Sequence, residues 1–233
     1  MVIDCSTCLG SAGRVPEGLL PAPIAGRAPT TCRERRGAYF ASAARLEAAS
    51  VTAFRRLHDE LALHDAPQEL LDGARAAEHD EVRHTRAMAR LARRHGVRYV
   101  RPRVSEVAPR SLEDVARENA VEGCARETFG ALLATWQASQ IADPELAETF
   151  GTIAADETRH AALSWSIAQW SLTQLGPDAR ARMESAWQSA IASLLAEDTP
   201  QVDALAFLAF PDADQRAHLA ASLRPLWSNL LAA

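Results

Sequence analysis

Two short stretches carry the same acid–imidazole pair. Residues 80–84 read DEVRH and residues 156–160 read DETRH, so Glu81 precedes His84, and Glu157 precedes His160, by three positions. On a helix this spacing puts the carboxylate and the ring on one face, one turn apart. A single such pair is most simply a surface link. Here each pair follows a lone glutamate at a matched distance. LEAASVTAF spans 46–54 and VEGCARETF spans 121–129, with Glu47 and Glu122 each seven residues before a phenylalanine. Glu47 precedes Glu81 by 34 residues, and Glu122 precedes Glu157 by 35. Each gap fits half a helix, a short loop and another half helix, which brings all four carboxylates to about the same height in a bundle.

Six inward groups result: the carboxylates of Glu47, Glu81, Glu122 and Glu157, and the imidazoles of His84 and His160. Four ionised carboxylates in an apolar bundle are costly without cations. Two divalent ions would balance them in charge. Oxygen and nitrogen donors of this kind suit iron, or manganese, better than thiophilic metals. The aspartate before each glutamate has a place in such a site. A ligating histidine donates its second N–H to an outer carboxylate, so Asp80 is expected to reach His160, and Asp156 to reach His84. Arg83 and Arg159 fall off the inner stripe and are expected to pair with neighbouring acids. Glu118, one turn before Glu122, and Glu127, five residues after it, are candidates for an additional ligand; an interior-edge or surface role is the simpler reading of each. His58 reads as a hydrogen-bonded core histidine, and Trp136, Trp165 and Trp170 as core mass.

These residues need long helices to position them, and the chain supplies them. Ala, Leu, Arg and Glu dominate after residue 36, and the prolines fall at boundaries. Apolar spacing predicts helices over about 38–65, 67–95, 111–141 and 143–175. Their inner stripes include Glu47, Val51, Phe54 and Leu61, then Leu70, Ala74, Ala77, Glu81 and His84. The third reads Val115, Glu118, Glu122, Ala125 and Phe129, and the fourth Phe150, Ile153, Glu157, His160 and Ile167. The first and second helices, and the third and fourth, are joined by short loops, as in antiparallel hairpins. The segment 96–110, with Pro102 and Pro109, is long enough to run the length of a bundle. Pro177 opens a fifth helix to about 197, and shorter helices fill 201–231. The expected organisation is a flexible N-terminal arm over 1–36, a dimetal four-helix bundle over 37–176, and a helical extension over 177–233 packed on the bundle.

Composition narrows the function classes. The 233 residues carry 25 basic and 30 acidic side chains, a net charge of −5. The basic residues are scattered, which argues against nucleic-acid binding. No apolar run approaches the ~18–20 residues of a membrane span. The N-terminus lacks the charged and apolar regions of an export signal, so a cytoplasmic protein is expected. Cys5-x-x-Cys8 is half of a metal knuckle; a thiol pair or local disulfide in a tail is the simpler reading. Cys32 adds a further thiol. Cys124 sits in a helical pattern and reads as core.

On Glu47, Glu81-x-x-His84, Glu122 and Glu157-x-x-His160, the stretch 38–175 resembles the ferritin-like superfamily, in particular its rubrerythrin-like and di-iron oxygenase or oxidase members. The resemblance implies an all-α, ferritin-like four-helix bundle with one long crossover, here extended by C-terminal helices. It implies a non-haem centre of two iron ions that meets dioxygen or peroxide. Glu47 and Glu122 would be terminal ligands, Glu81 and Glu157 would bridge, and each histidine would bind one metal. An oxidoreductase acting on an organic substrate, fed by an external electron donor, is the leading expectation. A ferroxidase, iron-handling or peroxide-scavenging protein, with Fe(II) or peroxide as substrate, is the alternative. A homodimer is compatible with either. The chain departs from rubrerythrins in lacking paired CxxC knuckles, and from cage ferritins in continuing well past Gly176.

Overall fold

The computed structural model describes residues 13–22, 29–196 and 203–228, and these are helical with no strand among them. Helix α1 (Cys32–Leu63) and α2 (Gln68–Arg94) form a tightly packed hairpin. The third leg has three parts: α3 (Leu112–Glu118), a π-helical segment (Asn119–Glu127) and α4 (Thr128–Gln140). Helix α5 (Pro144–Gln174) folds back along it. Then come α6 (Pro177–Ala196), a 3-10 segment (Asp203–Leu208), α7 (Ala213–Ser222) and α8 (Arg224–Trp227).

Local chemistry sets the ends. Asp143 caps α5 by accepting from the backbone N–H groups of Glu145 and Leu146, with Pro144 in the first turn. Gly96, at φ +81°, takes the left-handed turn just after α2. Helix α1 starts earlier than expected, at Cys32 rather than near 38. Thr31 and Glu34 form a capping box there, a T-x-x-E signature that outweighs the polar surroundings. The expected single helix over 111–141 is interrupted in its middle by the nine-residue π segment.

The inner stripes make separate apolar regions. Tyr39, Phe40, Met88, Leu91, Phe150 and Ile153 pack at one end of the bundle. Phe54, Leu57, Leu61, Leu70, Val115 and Ile167 pack at the other. Glu47, Glu81, His84, Glu157 and His160 fall between these groups along their own helices, so a polar layer is clamped between two apolar plugs. The C-terminal extension covers the π segment: Met183, Trp187 and Trp227 pack with Cys124, Ala125 and Phe129. Trp227 donates its indole N–H to the Cys124 carbonyl at 3.2 Å.

The crossover is pinned to α1 by Arg110, which donates twice to the Glu60 carboxylate at 2.9 and 2.7 Å. It also holds the arm. Leu20 N–H donates to the Arg103 carbonyl, and Ser105 N–H to that of Gly18, both at 2.9 Å. The described part of the arm is therefore bonded to the crossover, where a flexible arm was expected. No helix among the described residues is long and apolar enough to cross a membrane.

Candidate metal centre

Glu47, Glu81, His84 and Glu157 form a buried group that can hold a metal ion, with one donor atom from each lying within 4.8 Å of all the others. His84 Nδ1 stands 3.8 Å from Glu47 Oε2, 3.6 Å from Glu81 Oε2 and 3.5 Å from Glu157 Oε1. His160 Nδ1 stands 3.6 Å from Glu81 Oε1 and 3.6 Å from Glu157 Oε2. Glu81 and Glu157 thus each turn one oxygen to each imidazole. The separations exceed a hydrogen bond and suit two donors to a common ion.

The outer faces of the rings are tied. His84 Nε2 lies 3.0 Å from Asp156 Oδ2, and His160 Nε2 lies 3.3 Å from Asp80 Oδ2. Each aspartate crosses to the histidine of the other hairpin, the pairing read from the repeat. In the neutral ring, an Nε2–H donated to a carboxylate leaves the Nδ1 lone pair directed inward. Two arginines brace these acids: Arg83 contacts Asp80 at 2.6 Å and Asp156 at 2.9 Å, and Arg159 contacts Asp80 at 3.2 Å and also pairs with Asp156.

Five of the inner donor atoms have no such partners. Glu47 Oε2, both oxygens of Glu81, His84 Nδ1 and His160 Nδ1 are buried without a hydrogen bond. Orphaned buried polar atoms cost about 1–3 kcal/mol each, more when charged. These five atoms lie on or next to the Glu81 carboxylate, and the two rings are bonded on their outer sides, a pattern that fits a cation-binding site.

Electrostatics agree. Burial drives the Glu47 carboxyl well above the ordinary range, and the neighbouring Glu81 adds to it. Burial opposes charge on His84 and His160, but contacts of Glu157 and Glu81 with His84 raise it to about 12, and those of Asp80 and Glu157 raise His160 to about 10. The acids thus favour the protonated form of both rings when no ion is bound. Ligation through Nδ1 must expel those protons, so loading two divalent ions should release about two protons per chain from the rings, and affinity should rise with pH. Calorimetry in buffers of different ionisation enthalpy measures this; no buffer dependence would contradict it.

The third leg departs from the sequence reading. Glu122 does not join the cluster: its carboxylate accepts from Arg126 at 2.9 Å and from Val15 N–H at 3.3 Å. Glu118 turns to Arg14 at 2.9 Å. Glu127, outside the group of four, is the acid of this leg that is buried near it. It is 3% exposed, its Oε1 lacks a hydrogen bond, and it lies close enough to His160 and Glu157 to feel both charges. Burial raises its carboxyl to about 7, against the pull of Arg14 and His160. The π segment is the cause. It takes more residues per turn than an α-helix and so turns Glu127 to a different face.

Two further residues were invisible in the sequence. Gly13, at φ +30°, lies against the site; a Cβ there would come 2.1 Å from Ser50 Oγ and 2.9 Å from Glu81 Oε1. Arg14 is buried beside Glu127. No periodicity marks either one, because both belong to the irregular arm. Ser164, one turn after His160, donates to Glu127 Oε2 at 2.9 Å. His58 stays apart, bonded to Asp59 and Arg75. Cys124 is buried and free, Cys32 is exposed, and Cys5 and Cys8 lie outside the described residues.

The outer aspartates give a direct prediction. Asp156→Asn should weaken ion binding about 10–100-fold while the fold persists, because the His84 ring loses its anionic acceptor. Calorimetric titration together with circular dichroism checks both halves; unchanged affinity would contradict the assigned role.

Comparison of the chain with protein-family models, with curated proteins and with solved structures finds no match.

Proposed function

We propose that the chain is a ferritin-like dimetal carboxylate protein, an oxidoreductase whose centre of two iron ions, or manganese, meets dioxygen or peroxide. The observation that carries this reading is the meeting of orphaned donors of Glu47, Glu81, His84 and His160 with the buried carboxylate of Glu157, joined by Glu127. The four carboxylates of that set would offset two divalent ions. Glu81 and Glu157, each facing both imidazoles, are the bridging candidates. Glu47 and His84 would complete one position, and Glu127 and His160 the other.

Iron in such a site would supply Lewis acidity and electrons for reducing dioxygen or peroxide. The chain supplies the rest. Asp156 and Asp80 fix the rings with Nδ1 inward. Phe54, whose ring centre is 5.0 Å from that of His160, shields the site from water on one side. Glu127, with its carboxyl raised to about 7, is suited to hold or release a proton near neutrality. An external electron donor and an organic substrate complete the oxidoreductase reading.

A second reading is ferroxidase or iron-handling chemistry. It is favoured by the acids Glu118 and Glu122, with side chains 19% and 11% exposed, which lead from the surface toward the buried Glu127. One experiment tests and separates the two. Anaerobic protein is loaded with Fe(II) and mixed with oxygen while absorbance and oxygen uptake are followed. An oxidase should oxidise about two Fe(II) per chain and then stop until reductant is added. A ferroxidase should continue through many Fe(II) per chain. No oxygen-dependent change in the loaded protein would overturn both.

A further inference from the structure

The arm inserts a permanent cation into the wall of the centre, on one side. Arg14 is 1% exposed. Its guanidinium donates to Glu118 Oε2 at 2.9 Å, Asn119 Oδ1 at 2.8 Å and Ser164 Oγ at 3.2 Å. It lies 5.4 Å from the Phe54 ring centre, and that ring packs on His160. Its Nε is 3.6 Å from Glu127 Oε1, and neither atom has a hydrogen bond. Glu127 is therefore attracted to Arg14 by charge but keeps an oxygen free. The backbone holds the arrangement, since Ser50 Oγ donates to the Arg14 carbonyl at 2.8 Å. On the other side of the centre, Glu47 makes its ion-pair contact with His84, and the arginines Arg83 and Arg159 sit outside on the aspartates.

We propose that Arg14 is a positioning residue that makes the two metal positions unequal. It competes for Glu127 and repels a divalent ion at the His160–Glu127 position, so the Glu47–His84 position fills first and the other fills later and more weakly. This rests on the dimetal reading above. A fixed positive charge 3.6 Å from a carboxylate that would hold a divalent ion, in a poorly solvated site, is a strong term. A difference of at least about tenfold between the two dissociation constants is expected.

The test is titration of full-length, metal-stripped protein with Co(II), read by calorimetry and by visible absorption. Wild type should show two steps. Arg14→Met should tighten the second step by about tenfold or more and leave the first within about twofold. Arg14→Lys, which keeps the charge, should retain the wild-type order. If Arg14→Met fails to fold by circular dichroism, Arg14→Gln is read in its place, since it is polar and carries no charge. Two equal steps in wild type would overturn this proposal alone. So would a second step that stays put or weakens without the charge, or a Lys variant that behaves like Met. No binding in wild type would overturn the dimetal reading and this proposal with it.

Discussion

Glu47→Gln should make the ion-free protein more stable and the ion-loaded protein less so. Glu47 is 3% exposed, one oxygen has no hydrogen bond, and burial and the neighbouring Glu81 push its carboxyl well above the ordinary range. A carboxylate whose folded pKa is raised opposes folding once the pH exceeds its unfolded pKa, and the penalty grows until the pH passes the folded value. Gln has nearly the same shape and no charge to bury. Above about pH 5, by the ordinary glutamate value, the ion-free variant should gain on the order of 1–3 kcal/mol. For a chain of this length that is a rise in thermal midpoint of roughly 5 °C. With divalent ion present the order should reverse, because ion binding stabilises the native state in proportion to the logarithm of its affinity. Thermal melts with chelator and with excess Co(II) test both halves. A variant less stable than wild type under both conditions would mean that Glu47 is a structural acid.

The second large effect separates sequence from structure on the third leg. Glu127→Gln should cost the second ion about 100-fold or more in affinity, since it removes a buried anionic donor. Glu122→Gln should leave both ions within about twofold, because its carboxylate is occupied by Arg126 and Val15 N–H. The two positions are five residues apart, and only a π-helical turn gives Glu127 the inward place. If Glu122→Gln removes an ion and Glu127→Gln does not, the third leg is an ordinary α-helix in solution and the repeat pattern identified the ligand.

That contrast also shows where sequence reading reaches and where it stops. The helices of both hairpins were legible because their apolar stripes run for many turns and their ends carry Pro, Gly and Asp signals. The crossed Asp80–His160 and Asp156–His84 pairs were legible because a repeated DExRH on two-fold related hairpins leaves little geometric freedom. The π segment was not, because α and π turns share residue preferences. Its one trace is the spacing of 35 residues from Glu122 to Glu157 against 34 from Glu47 to Glu81. A π turn is one way for a helix to absorb such an extra residue. Gly13 and Arg14 were not legible either. An arm is placed by a few long-range bonds, here Ser50 to the Arg14 carbonyl and Ser105 to Gly18, and such bonds leave no period in the chain.

Helix α1 is a smaller instance of the same kind. Its start at Cys32 was signalled by Thr31 and Glu34, but the Gly and Pro residues around them pointed the other way. The capping box satisfies backbone donors that a later start would leave to water.

The measurement that bears most directly on the central claim is the metal content of protein purified anaerobically and loaded with Fe(II). It is compared with a Glu81→Ala/Glu157→Ala variant that keeps its helical circular dichroism. Both residues face both imidazoles, so their joint loss should empty the centre. The account predicts about two ions per wild-type chain and well under one in the variant. Fewer than about one ion in wild type, unchanged in the variant, would contradict it.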